Sequence, residues 1–263
     1  MSAPLRILIT NDDGIDAPGI QILRQIAEKI SPEVWVVAPE GNQSGAGHRI
    51  SFGRELRVDE RGPRQYAIHG GSPADCVIAG ATELMGGSPP DLVLSGINNG
   101  QNLGDIINCS GTAAGAREGA FQGALGIALS QGVNYEKSRE VVWDAAIAHG
   151  EAVIRAIITV AAQRPALSRQ AYFNVNFPPC APHEVEGTRI VPAQRFARSP
   201  MRYYQSDNPG HFFVAIPETP KPLDPESDFE TLHKGRAVTV TPVLLQVSDF
   251  ALIGALQGTL GGL

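Results

Sequence analysis

Two adjacent aspartates, Asp12 and Asp13, follow a short apolar run near the start of the chain, in "RILITNDDGIDAPGI" (6–20). Side by side the carboxylates repel, and burying either one is costly, so such a pair at the exit of a core strand needs an offset. A hard divalent cation provides one, because Mg2+, Mn2+ and Ca2+ take oxygen from carboxylates, amide carbonyls, hydroxyls and water. Asp12 and Asp13 would supply charge, and Ser44 and an asparagine such as Asn98 would supply neutral oxygen. Gly14 would let the turn aim both carboxylates inward. The other reading is an Asx-rich turn ahead of a helix, with Asp16 before Ala17-Pro18 shaped like a cap.

A second group is Ser110, Gly111 and Thr112, which lead straight into a helical pattern. A helix N-terminus with free N–H groups, a glycine and two hydroxyls can cradle a phosphate. Ordinary capping by Ser110 or Thr112 is the alternative. The chain carries no Walker motif and no GxGxxG, so neither nucleotide fingerprint is supported. It has no GxSxG elbow, which argues against a serine hydrolase. Cys109 lies beside Ser110 with no local base and reads as a packed thiol rather than a nucleophile. Of the six histidines, only His48 falls in a polar loop that would face such a site.

The elements around these residues alternate. Leu5 to Thr10, Glu33 to Pro39, Pro90 to Gly96 and Leu125 to Gln131 read as strands. Pro18 to Ile30, a helix from Ser72 as cap through Met85, Ala113 to Gln122 and Glu140 to Gln163 read as helices. Arg49 to His69 reads as an irregular β excursion. This order predicts a mostly parallel α/β sheet with right-handed crossovers. Ligands bind beyond the carboxyl ends of such strands. Three polar loops fall there: Asn11 to Asp13, Asn42 to Ser44, and the stretch holding Asn98, Asn99, Asn102, Ser110 and Thr112. After Pro178 prolines are frequent and short β-like runs dominate, which reads as a smaller arm used in assembly.

With 263 residues, 43% hydrophobic and 18% charged, the chain can build a large core. A formal net charge of −6 argues against a nucleic-acid polymer as partner, short ends aside, and leaves room for a small phosphorylated substrate. The three cysteines, Cys76, Cys109 and Cys180, form no CxxC pair and indicate neither a disulfide framework nor a zinc site. No basic-then-apolar leader and no 18-residue apolar run is seen, so the expected location is cytoplasmic, with no membrane partner.

Taken in order, "NDDGIDAPGI", "VVAPEGNQSGAGH", "GGSPADCV", "PDLVLSGINNGQNLGDIINCSGT", "FNVNFP" and "VTVTPV" resemble the SurE (survival protein E) family of metal-dependent 5′-nucleotidases and acid phosphatases. The resemblance runs from the first strand to about Val243. It implies that Asp12, Asp13, Ser44 and Asn98 hold one divalent ion per subunit, Mg2+ or Mn2+. It implies that Asn102, Ser110, Gly111 and Thr112 contact the phosphate, and that Asn102 acts with the aspartates in catalysis. Gln43 stands where a basic residue is frequent, and Cys109 where a tyrosine is common. The implied fold is a Rossmann-like three-layer α/β core, residues 1–180. Its C-terminal extension, 181–263, would be exchanged between the subunits of a homodimer or homotetramer. The implied reaction is hydrolysis of a nucleoside 5′-monophosphate to nucleoside and phosphate. Two rival readings stand beside it. An N-ribosyl (nucleoside) hydrolase would carry a denser DxDxxxDD cluster, which Asp12, Asp13 and Asp16 do not complete. A non-enzymatic ligand-binding protein on the same fold is the other.

Overall fold

The computed structural model describes residues 3–135, 140–216 and 219–260. In chain order the elements are β1 Arg6–Thr10, α1 Pro18–Ile30, β2 Glu33–Pro39, β3 Val58–Gly62, β4 Gln65–Ile68, α2 Pro73–Ala79, β5 Leu92–Asn99, α3 Gly111–Phe121, β6 Leu125–Gln131, α4 Asp144–Gln163, α5 Pro165–Ser168, β7 Ala171–Phe177, β8 Thr188–Ile190, β9 Arg202–Gln205, β10 Phe212–Ala215, α6 Asp228–His233, β11 Val238–Leu244 and α7 Phe250–Leu260.

Among the described residues one nine-stranded sheet carries the order β3-β4-β2-β1-β5-β6-β7-β11-β8. Its pairs are parallel except β3 with β4 and β7 with β11. The chain leaves β1 toward β2 on one side and builds β5, β6 and β7 on the other. The strand order therefore reverses between β1 and β5, and an open α/β sheet binds ligands at that crevice.

The three layers follow from alternation along the strands. Ile7 and Ile9 face α1 and α4, where Leu23, Ile26, Ala145, Ile154 and Ile157 join one core. Leu8 faces the other way, toward Trp35, Val37, Cys76 and Val77 beneath α2. A strand buried on both faces reads as the unbroken apolar run seen at Ile7 to Ile9. Each such side chain contributes about 1.5–3 kcal/mol when fully buried. α3 lies against β5 and β6 with an unusual surface. A Cβ on Gly115 would stand 2.6 Å from Ser95 Oγ, and one on Gly119 would stand 2.5 Å from Val93 Cβ. Three glycines four residues apart, Gly111, Gly115 and Gly119, bring the helix backbone onto the sheet.

Several elements differ from the sequence reading. The helix expected through Met85 ends at Ala79, and a π-helical turn, Gly80–Leu84, continues it. The long fourth helix starts at Asp144, and residues 136–139 of the preceding stretch lie outside the described residues. The last third holds two helices, α6 and α7, as well as short strands. Neither helix is among the expected elements, because each segment is too short or too uniformly apolar for a clear period. β8 and β11 join the main sheet, and β9 with β10 forms a separate two-stranded sheet. By length and mean hydropathy α4 could cross a membrane, which the search for an apolar run did not register. Here it packs Val153, Ile154 and Ile157 into the core, while Glu151 pairs with Arg155 on its outer side.

Candidate active site

The site starts where β1 ends. Asn11 is fully buried, and its side chain closes a turn by accepting from the Gly14 N–H at 3.2 Å and donating to the Gly14 carbonyl at 2.9 Å. Gly14 takes φ +108°, and a Cβ there would meet Gly41 at 3.2 Å, so the turn needs glycine for both reasons. Asp12 is left buried and Asp13 half-buried.

Main-chain bonds join the three polar loops. The Gln43 N–H donates to the Asp12 carbonyl at 2.7 Å. The Gly47 N–H donates to the Cys109 carbonyl at 3.2 Å. The Asn99 N–H donates to Asp13 Oδ2 at 3.1 Å. The loops that the sequence placed at separate strand ends are therefore one cluster at the β1–β5 crevice.

Across from the aspartates lies the start of α3. Ser110 is its cap, accepting from the Ala113 N–H at 3.0 Å. The first N–H groups of a helix have no carbonyl partner within it. The Thr112 hydroxyl donates to Asp12 Oδ1 at 2.6 Å. A Cβ on Gly111 would stand 2.7 Å from Asp12 Cβ and 2.9 Å from Asp12 Oδ2. Glycine at 111 is thus what lets the helix N-terminus touch the carboxylate. Burial pushes the Asp12 carboxyl above the ordinary aspartate range. The Thr112 hydroxyl pulls it back and the neighbouring Asp13 charge raises it again. Burial also raises Asp13, opposed by the Asn99 N–H.

None of the ion pairs among the described residues gives Asp12 or Asp13 a cation. Nor do three or more His, Cys, Asp or Glu side chains gather in metal-binding geometry among them. A cation here would complete its shell from neutral oxygen. The Asn98 amide nitrogen is tied to the Gly100 carbonyl at 2.7 Å, which leaves the amide oxygen as the donor. The exposed Ser44, set by its N–H on Asn42 Oδ1 at 2.8 Å, sits one residue beyond the bond that joins Gln43 to Asp12. Two carboxylates short of a countercharge, on joined loops that also carry the Asn98 amide and the Ser44 hydroxyl, have the donor chemistry that suits a hard divalent ion.

Other residues behave differently from their sequence reading. Asn102 is buried, its amide nitrogen donating to Ser130 Oγ at 2.9 Å and lying 3.5 Å from Thr112 Oγ1. Ser130 was not singled out from sequence, and Asn99 was named only as part of the third polar loop, not for its main-chain N–H. A serine at the end of a buried strand was the available signal for the first, whereas a main-chain donor such as Asn99 leaves none. His48 does not face the aspartates. It bonds Glu118 on α3 at 2.9 Å and so fastens the second loop to that helix. Cys109 is exposed rather than packed: its short helical turn, Gly104–Cys109, buries Gly104 and Ile107 and leaves Asn108 and Cys109 outward. Gln43, in the place of a basic residue, accepts a hydrogen bond from Arg49 at 2.7 Å, which returns a guanidinium to that loop.

The sequence model of the family described as "Survival protein SurE" matches residues 7–199. The chain belongs to the SurE family. "5′-nucleotidase SurE" of Rhodopseudomonas palustris (strain BisB18) is 42% identical to it, covering 98% of this chain and all of the relative. The protein of the same name from Nitrobacter hamburgensis is 39% identical over 97% of this chain and all of its own length. The crystal structure of the SurE protein from Aquifex aeolicus superposes with a TM-score of 0.77 at 28% identity, covering 97% of this chain and 99% of that one. The SurE match spans β1 through the loop after β8, and so includes the aspartate pair and all three polar loops.

Proposed function

We propose that this chain is a divalent-metal-dependent phosphomonoesterase that hydrolyses nucleoside 5′-monophosphates to nucleoside and phosphate. The observation that carries this reading is the aspartate pair at the sheet's reversal point, paired with no cationic side chain among the described residues and facing a helix N-terminus. Full-length similarity to proteins named 5′-nucleotidase supports it.

Asp12, Asp13, Ser44 and Asn98 would hold one Mg2+ or Mn2+. When bound, such an ion polarises a phosphoryl oxygen and makes water easier to deprotonate. The protein's own groups do the rest. The Gly111 N–H and the Ser110 hydroxyl face the phosphoryl oxygens and stabilise the charge that builds there, while the Thr112 N–H is spent on the Asp12 carboxylate. Asn102, held on Ser130, lines the same side. One of the two aspartates takes the proton of the attacking water; Asp13, the more open of the pair, is the candidate favoured by its half-buried position. Water oxygen bonds to phosphorus, the bond from phosphorus to the 5′-oxygen breaks, and the leaving oxygen takes a proton from solvent water, while the aspartate later returns its own to solvent.

Phosphate release from a panel of nucleoside monophosphates and one aryl phosphate tests this. The protein is stripped with chelator, then given Mg2+ or Mn2+, with Asp13→Ala alongside. Metal-dependent phosphate release that Asp13→Ala abolishes is the expected result. Release of free base instead of phosphate would make the chain an N-ribosyl hydrolase. No product under either metal would leave a binding protein.

The extension at 181–263 is proposed as the assembly arm of a homodimer or homotetramer. Exposed Tyr203, Phe212 and Phe213 on β9 and β10, and Phe250, Leu252 and Leu256 on α7, support that reading.

A further inference from the structure

We propose that Asn174 and Asn176, the two asparagines of "FNVNFP", are positioning residues for the metal ligand Asp12. The proposal rests on the metal-site reading above and concerns how that site is held.

Asn102 lies between β5 and the surface turn, where no strand neighbour pairs its peptide groups. Its N–H donates to Asn176 Oδ1 at 2.8 Å. Its carbonyl accepts from Asn176 Nδ2 at 3.1 Å and from Asn174 Nδ2 at 2.8 Å. A carboxamide can donate and accept at once, so Asn176 does for Asn102 what a neighbouring strand's main chain would do. With its main chain fixed on both sides, Asn102 places its own amide on Ser130 and beside Thr112. The Thr112 hydroxyl then commits its proton to Asp12 Oδ1. A chain of bonds thus runs from β7 to the carboxylate, through residues that are all buried.

Placement argues that this is more than the satisfaction of buried groups. Asn174 and Asn176 occupy alternate positions of β7, between β6 and β11, where apolar β-branched residues stabilise a sheet better. The intervening Val175 follows that rule and packs in the core. Two asparagines on one face of an interior strand are accounted for by the loop they hold. The oriented hydroxyl fixes which Asp12 oxygen faces a cation, the role that outer partners play at metal sites.

The test uses the full chain with Asn176→Asp, Thr112→Val, Thr112→Ser and the Asn176→Asp/Thr112→Val double variant. Asn176→Asp keeps the shape and loses the donor. Mn2+ affinity is read from the free-ion paramagnetic resonance signal, folding from the thermal melt, and kcat and KM from phosphate release. With a cooperative melt retained, Asn176→Asp is expected to weaken Mn2+ about 10- to 100-fold. Thr112→Val should match that loss, and Thr112→Ser should restore it. The double variant should be no worse than the poorer single variant, because both cut one chain. A parallel fall in kcat with little change in KM is expected in an active enzyme. Folded Asn176→Asp with wild-type Mn2+ affinity overturns the proposal, as do losses that multiply in the double variant. If Asn176→Asp loses its cooperative melt, Asn174→Ala, which removes one of the three bonds, is judged by the same criteria. A wild-type protein that releases no phosphate defeats the functional reading alone, since the Mn2+ measurement still decides the positioning role.

Discussion

Asp12 and Asp13 are two adjacent carboxyl groups that the fold treats unequally. Asp12 is buried and held by Thr112; Asp13 is half-buried and accepts from the Asn99 N–H. Without a metal, burial holds both above the ordinary value of 3.8. The folded state therefore bears a cost that a bound cation removes. Free Mn2+ at one hundred times its dissociation constant should stabilise the wild type by about 2.7 kcal/mol. Asp13→Asn should melt no lower than wild type in chelator and should lose that gain. Thermal melts with and without Mn2+ check both, and an undiminished gain in Asp13→Asn would remove that residue from the metal site.

At the scale of elements, α3 is the part that makes the site. Its Gly111, Gly115 and Gly119 let the helix approach β1 and β5 closely enough for Thr112 to reach Asp12. Gly119→Ala would drive a methyl into Val93. It should destabilise the fold by about 1–3 kcal/mol and weaken Mn2+ binding as the helix start shifts. Chemical unfolding and Mn2+ titration of the same variant measure the two effects. The β3–β4 pair carries a pH-sensitive contact of its own. Arg57 and then His69 hydrogen-bond Asp59 and lower its carboxyl to about 2. A depressed carboxyl stabilises the folded state above 3.8, and that contribution is lost as pH falls toward 2. A carboxyl-carbon NMR titration should place Asp59 near 2, and Arg57→Ala should move it up toward 3.8.

Across the whole molecule, residues far apart in sequence complete the site. Asp228, near the C-terminus, accepts from the Gly104 N–H at 2.7 Å and from the Gln194 N–H at 2.9 Å. It thereby anchors the turn that precedes Ser110. Burial raises this carboxyl, and the main-chain N–H groups it accepts from oppose the shift. An apolar groove of about 360 Å³ lies elsewhere, between α4 and the strands β7, β8 and β11. Its lining is apolar apart from Thr188, and Val160 and Ile190 in it are exposed. Light scattering of the full chain should report a dimer or a tetramer. Charges introduced by Leu252→Glu with Leu256→Glu should lower that order without lowering Mn2+ affinity. A monomeric wild type would refute the assembly role of the extension.

The alternation of apolar runs and helical stripes determined the α/β class, since burial on both faces leaves Ile7 to Ile9 no polar position. Residue chemistry likewise marked Asp12 and Asp13, because an adjacent acidic pair at a strand exit asks for a countercharge. The glycines of α3 were written in the sequence too, but their purpose was not legible. A missing side chain has meaning only once Asp12, Ser95 and Val93 are seen to occupy its place. The same holds for Asn174 and Asn176, whose partner Asn102 lies some seventy residues away. His48, Ser130 and Asp228 gained their roles only from where the chain returned. Local sequence carries periodicity and chemical type; the bonds that orient a site are long-range, and tertiary packing alone decides which groups meet.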